Sequence, residues 1–170
     1  MKQLIDSIHL ALANKNWYAA ITITLILPDI CGKLERPSEK SETRYVDWFN
    51  RYIQPKYTAQ IGAQHQTHVF LSGNDCYALR CAYLHEGSDD IVEQKARKAL
   101  ERFVFVSPPL GSIIHCNQSG NKLQLQVDIF CKDLCEGVER WLSDIKNDAT
   151  ILNRMNRLLT IYSFEKGFSF

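Results

Sequence analysis

The chain has 170 residues, of which 45% are hydrophobic, and its 20 basic and 19 acidic side chains give a formal net charge of +1 at pH 7. This length and hydrophobic content fit one domain with its own core, and the charge balance excludes a protein that binds polyanions through its overall field. We predict a single, mainly α domain over residues 1–170, with a helical bundle over 1–102, a small β substructure over 103–130 and C-terminal helices over 131–170.

The first third of the chain is predicted to be helical. Apolar residues with a helical period run over 2–13, and almost every side chain over 17–26 is apolar or threonine. Periodicity alone does not distinguish a buried strand from a buried helix there. Asn16 as a cap favours a helix, which Pro28 is expected to kink or end.

The cysteines and the apolar segments indicate the cellular compartment in which the protein is expected to work. Six cysteines in a chain of this length, after a start that is too short and too polar for a secretory core, are expected to be reduced. The longest apolar run, residues 18–27, falls short of the roughly 18 residues that span a bilayer. We therefore expect a cytoplasmic protein without a membrane role.

Residues 44–54 have the clearest helical pattern, with aromatic side chains along one face. Such a stripe can stack on bases, but its spacing favours core packing. The following residues, 57–71, are predicted to be an irregular loop that contains His65 and His68. Two histidines three residues apart can share a zinc ion, yet no third ligand lies nearby, so we predict no metal site.

A further helix is predicted over residues 74–87, capped by Asn74 or Asp75 and ended by Gly87. It carries Arg80 and His85, five residues apart. At about 100° per residue, these two lie about 140° apart around the helix axis. If they act together, either the helix end must unwind near Gly87 or a second copy of the helix must supply the partner.

The next predicted helix, residues 91–101, follows Ser88-Asp89-Asp90 as a cap and carries the densest basic cluster of the chain. Two interpretations stay open, an ordinary solvated helix face and a phosphate-tracking rim beside the Arg80 helix. The residues of this RNA-binding rim are Lys95, Arg97, Lys98 and Arg102.

Strands are predicted over 103–106, 112–117 and 122–130, which together indicate a small antiparallel sheet. His115, in the second of them, is expected to pack or to form a hydrogen bond. An exposed edge over 122–130 would allow a partner chain to bind by strand addition. Helices are predicted over 131–145 and 150–162, and residues 164–170 are predicted to dock as an aromatic tail.

Arginine, four residues and then histidine, as in Arg80-Cys81-Ala82-Tyr83-Leu84-His85, followed by Glu86-Gly87, resembles the HEPN superfamily of helical proteins. The resemblance implies an endoribonuclease that works as a homodimer without a metal or cofactor. It implies that His85 is the general base or acid and that Arg80 clamps the phosphate, with products that end in 2′,3′-cyclic phosphate. Supporting residues would be Asp75, Tyr83 and Glu86.

The resemblance also implies a role in stress response, phage defence or a toxin–antitoxin pair, with a regulatory partner protein that restrains the enzyme. Two alternatives remain at this point. Arg80 can simply pair with Glu86 or Asp75 while His85 caps the helix C-terminus, where the dipole favours a cation. The domain can also be a non-catalytic dimerisation or RNA-binding module.

Overall fold

The computed structural model describes residues 1–161 and is mainly helical, which confirms the predicted class. The tail predicted over residues 164–170 lies outside the described residues. The helices are α1 (Lys2–Ala13), α2 (Trp17–Glu35), α3 (Ser41–Tyr52), α4 (Gly73–Glu86), α5 (Val127–Asp144) and α6 (Ala149–Met155). The strands are β1 (Thr58–Ile61), β2 (Gln66–Val69), β3 (Arg102–Val106), β4 (Asn117–Ser119) and β5 (Lys122–Gln126).

Helix α2 lies at the centre and contacts α1, α3, α4, α5 and α6. The Asn16 side chain caps it, as predicted, by accepting a hydrogen bond from the Ala19 amide at 3.3 Å. Of the two alternatives for Pro28, a kink or the end of the helix, the second is wrong, because α2 continues for seven further residues to Glu35. Tertiary packing on five helices outweighs the hydrogen bond that proline removes.

One helix in the described part of the chain, α2, is long and apolar enough to cross a membrane by length and composition. Half of its most apolar window is buried inside the protein, however, as in the core helix of a compact domain. One such helix is weak evidence for a membrane role, and the expectation that the protein has none stays a prediction.

Helix α3 places its aromatic face in the core. Tyr45, Trp48 and Phe49 are fully buried, and so is Ile53 just beyond the helix end. This confirms the prediction of core packing and leaves these rings without a face for base stacking. Burial of each such side chain contributes roughly 1.5–3 kcal/mol to stability.

The two sheets differ from the prediction. Residues 57–71, predicted to be irregular, form the antiparallel hairpin β1–β2. The other sheet has the order β3-β5-β4, in which β5 is parallel to β3 and antiparallel to β4. An all-antiparallel sheet was therefore wrong, since alternation of apolar residues fixes the face of a strand and not its direction.

Strand β5 also ends four residues earlier than predicted. Helix α5 begins at Val127, because the apolar spacing changes there from a period of two to a helical one. The strand predicted over residues 112–117 is reduced to the short pairing of Asn117–Ser119. Both edges of β5 are paired, so the predicted strand addition at residues 122–130 has no free edge to use.

Candidate functional site

The Arg80 helix has well-defined ends. Its N-cap is Ser72, one residue before the helix, whose hydroxyl accepts a hydrogen bond from the Asp75 amide at 3.1 Å, so the predicted caps Asn74 and Asp75 lie inside the helix. Gly87 ends the helix, as predicted, with a positive φ of 68°. That left-handed conformation favours glycine at the position after a helix.

Arg80 and His85 contact each other within one chain. Arg80 Nη1 lies 3.4 Å from His85 Nε2, while α4 remains helical through Glu86. The expectation that unwinding or a second copy is needed to bring them together is wrong. The long arginine side chain spans the angle between the two positions.

The Arg80 guanidinium is held from the other side by Asp29 on α2. Arg80 Nη2 donates to Asp29 Oδ2 at 2.8 Å. The other carboxylate oxygen accepts from Arg44 Nη2 at 3.2 Å and from the Ser41 hydroxyl at 2.9 Å, both on α3. Asp29 and Arg44 are site residues that the sequence analysis did not identify.

Two glycines allow the three helices of this cluster to approach closely. A Cβ atom on Gly32 of α2 would lie 2.7 Å from the Arg44 carbonyl oxygen. One on Gly73 of α4 would lie 2.7 Å from the carbonyl oxygen of Val46 on α3. Both distances are below any ordinary contact. The missing side chains thus let α2 and α4 pack on α3, which brings Asp29, Arg44 and Arg80 together.

A groove of about 350 Å³ opens beside this cluster. Its polar lining consists of three cations, Lys33, Arg44 and Arg80, and one carboxylate, Asp29. The Nε atoms of both arginines are buried and find no hydrogen-bond partner among the described residues. The groove therefore has excess positive charge, and the two Nε atoms lie buried behind its surface. Its apolar lining consists of Ile26, Ile30, Leu34 and Leu158.

The predicted supporting residue Asp75 contacts neither Arg80 nor His85 through its hydrogen bonds. Its carboxylate is 2% exposed, and Oδ1 accepts from the backbone amides of Lys98, Ala99 and Leu100 at 2.7, 3.0 and 3.2 Å. Oδ2 accepts from the Ser72 hydroxyl at 2.6 Å. These hydrogen bonds hold the loop at residues 98–100 to the start of α4, so the role of Asp75 is structural.

The other two supporting residues also bond elsewhere. The Tyr83 hydroxyl lies 3.4 Å from the Thr22 hydroxyl on α2. Glu86 accepts a hydrogen bond from the Gln94 side chain at 3.0 Å. The suggested pairs of Arg80 with Glu86 or Asp75 are replaced by the pair with Asp29.

The predicted basic rim does not lie on a helix. Residues 91–101 form turns and bends beside α4. Hydrogen bonds hold this segment to α4 at two points, from the Gln94 side chain to Glu86 and from the Lys98 amide to the Asp75 carboxylate. Arg97 donates to the carbonyl of Val92 at 3.0 Å, and Arg102 pairs with Asp89 at 3.1 Å. The two lysines of the rim, Lys95 and Lys98, are exposed.

The two histidines considered as zinc ligands, and the two cysteines of α5, have other surroundings. His68 Nε2 lies 2.8 Å from the Gln118 side-chain oxygen, and His65 sits in the hairpin turn with a positive φ of 47°. Burial raises the pKa of Cys131 and Cys135 to about 12, so both are neutral thiols. Within residues 1–161, no group of three or more potential ligands is placed to hold a metal ion.

A second polar cluster surrounds His115. Its Nδ1 accepts a hydrogen bond from the Gln126 amide at 3.2 Å, and its Nε2 lies 3.9 Å from Asp133. Asp133 also accepts from the buried Tyr57 hydroxyl at 3.0 Å. Burial lowers the pKa of His115 below its usual 6.5, although Asp133 acts in the opposite direction.

This lowered pKa predicts an acid-sensitive fold. The unfolded chain binds a proton at His115 near pH 6.5 and the folded chain only at lower pH, so stability falls as the pH drops from 6.5 through the folded pKa. Urea unfolding of His115→Asn, which keeps an acceptor for the Gln126 amide, should show a smaller loss between about pH 7 and pH 5 than wild type. An unchanged slope against pH would contradict this assignment.

Comparisons with protein-family models, with curated proteins and with solved structures found no match. The function can therefore be inferred only from the geometry around Arg80 and from the local resemblance of its motif.

Proposed function

We propose that the protein is a metal-independent endoribonuclease of HEPN type that acts in the cytoplasm. The observation that supports it most is the contact between Arg80 Nη1 and His85 Nε2 at 3.4 Å. It places a permanent cation beside an exposed imidazole at the end of a helix. Cleavage of RNA without a metal requires these two kinds of group, one for the phosphate charge and one for proton transfer.

In the proposed reaction, His85 takes the proton from the ribose 2′-hydroxyl. The 2′-oxygen attacks phosphorus, the bond to the 5′-oxygen breaks, and the departing 5′-oxygen takes up the proton from the His85 imidazolium, so that a 2′,3′-cyclic phosphate remains on one product and a 5′-hydroxyl on the other. Arg80 stabilises the charge that builds on the phosphate oxygens, since a guanidinium stays protonated and can donate two parallel hydrogen bonds. Asp29 positions Arg80 by holding its Nη2 at 2.8 Å, which leaves Nη1 on the side of His85.

The HEPN resemblance further supports a homodimer and a restraining partner, as in phage defence, stress response or a toxin–antitoxin pair. Because each chain brings its own Arg80 and His85 into contact, a dimer on this proposal carries two complete pairs. RNA is the proposed substrate. Of the predicted basic rim, the exposed Lys95 and Lys98 beside α4 are the residues proposed to contact its phosphate backbone.

A second candidate is a HEPN-like dimerisation or RNA-binding module without activity. The observation that favours it is the Arg80–Asp29 ion pair at 2.8 Å, which accounts for the largely buried guanidinium without any reaction. On this reading Asp29, Arg44 and Arg80 join three helices, and His85 is an exposed residue at the helix end.

The test is an RNA-cleavage assay of the purified protein in excess EDTA, with analysis of the product ends. Wild type is expected to cleave and to leave 2′,3′-cyclic phosphate, and Arg80→Ala and His85→Ala are expected to lose cleavage while remaining folded. Arg80→Ala should fold because Asp29 keeps its bonds to Arg44 and Ser41. A folded wild type that cleaves none of several RNAs would favour the binding module, and cleavage that survives both substitutions would place the activity elsewhere.

A further inference from the structure

The groove beside Arg80 extends along α2 toward Lys33. Asp29, which holds Arg80, and Lys33 are four residues apart, so their Cα atoms lie about 6 Å apart along the helix axis. Lys33 therefore lies about one helical turn from the residue that holds Arg80. Lys33 is exposed, and Arg44 is the third cation of the lining.

We propose that this groove binds the nucleotide next to the cleaved phosphate of a single-stranded RNA, with Lys33 contacting the following phosphate. The inference rests on the proposed function, because it takes Arg80 as the residue that holds the cleaved phosphate. It adds a binding residue, Lys33, and a substrate class, unpaired RNA.

The charge of the groove fits a polyanionic strand. Lys33, Arg44 and Arg80 carry three positive charges against the one negative charge of Asp29. Lys33, the exposed cation of the lining, can contact a phosphate directly, whereas the two arginine Nε atoms without a partner in the described chain are buried. A neutral or cationic ligand would leave the excess positive charge uncompensated.

The size and the apolar lining define which RNA fits. About 350 Å³ is at the lower end of small-molecule sites, roughly 300–1,000 Å³, and suits one nucleotide rather than a duplex. Ile26, Ile30 and Leu34 offer aliphatic contact to a base or sugar but no hydrogen-bond pattern that reads a base edge. We therefore expect little base preference at this position.

The test measures binding of a fluorescein-labelled 2′-O-methyl oligouridine, which lacks the attacking hydroxyl, to the full chain at several salt concentrations. Lys33→Gln is expected to weaken binding and to reduce the slope of log K against log[salt] by about 0.7, the value for one phosphate contact of a single strand. Lys146→Gln removes another exposed lysine, in the turn after α5, and should leave the affinity and the salt slope unchanged. A duplex of the same sequence and length should bind more weakly than the single strand.

The outcomes separate this inference from the proposed function. The groove assignment would be overturned by equal salt slopes for wild type and Lys33→Gln, or by an equal loss of affinity in Lys33→Gln and Lys146→Gln. Either result would do so even if the wild type cleaves RNA. A selective loss at Lys33 together with a wild type that never cleaves would support the groove and refute the nuclease. Melting temperatures equal to wild type are required of both variants, since Lys33 also donates to the Pro37 carbonyl at 2.6 Å.

Discussion

On the proposed function, replacement of His85 with alanine is expected to reduce the rate of RNA cleavage by about 10²–10⁴-fold, the usual contribution of a general acid–base group. Within residues 1–161 the exposed imidazole forms its one hydrogen bond with Arg80, so its loss should leave the fold intact. Single-turnover cleavage at saturating enzyme measures the chemical step without a contribution from binding.

The matched control is His9→Ala, which removes an exposed histidine from α1 and should cleave at the wild-type rate. Added imidazole should restore part of the activity of His85→Ala, because a small base can occupy the vacated space. A residue that only caps a helix would not show this rescue. Activity of His85→Ala within a few-fold of wild type would exclude the imidazole from the chemistry.

The outcome for α4 shows what a sequence pattern can and cannot predict. The glycine stop at Gly87 and the helical setting of Arg80 and His85 followed from local residue types. The contact between these two side chains could not be predicted in the same way. An angle around the helix axis describes the directions of the Cβ atoms and ignores the reach of a long side chain. Arg80 covers the difference with its own length.

Asp29 and Arg44 were missed for a different reason. Asp29 follows Pro28, which was expected to kink or end a helix, and it lies 51 residues from Arg80 and 15 from Arg44 in the sequence. Only the packing of α2 and α4 on α3 brings these residues together, and the glycines that permit this packing have no distinctive local pattern. Long-range ion pairs of this kind are set by tertiary structure.

The basic segment at residues 91–101 was predicted to be helical because its residue types favour a helix. In a helix, the amides of Lys98, Ala99 and Leu100 would donate to carbonyls four residues earlier. They donate instead to the Asp75 carboxylate, a charged acceptor that forms stronger hydrogen bonds than a carbonyl. A single buried side chain has thus overridden the propensity of the segment.

Replacement of Asp75 with alanine is accordingly expected to lower the free energy of unfolding by about 3–4 kcal/mol. Hydrogen bonds to a charged group are worth about 1.5–3 kcal/mol each, and the three amides of residues 98–100 and the Ser72 hydroxyl would lose their shared acceptor. The net loss is smaller than the sum of the four bonds, because removal of the carboxylate also removes the cost of burying its charge. In a chain of this size, each 1 kcal/mol shifts the melting temperature by about 2–4 °C, so a decrease of about 6–16 °C is expected.

Local hydrogen exchange distinguishes the loss of the Asp75 hydrogen bonds from a general loss of stability. In Asp75→Ala, the amides of Lys98, Ala99 and Leu100 should exchange much faster than the helical amides of α5, since their acceptor is gone while α5 keeps its own bonds. Asp6→Ala, which removes an aspartate that is 56% exposed and paired with Lys2, should change stability by less than about 1 kcal/mol. Equal melting temperatures for Asp75→Ala and Asp6→Ala would show that the loop is held by other contacts and that the Asp75 hydrogen bonds add little to stability.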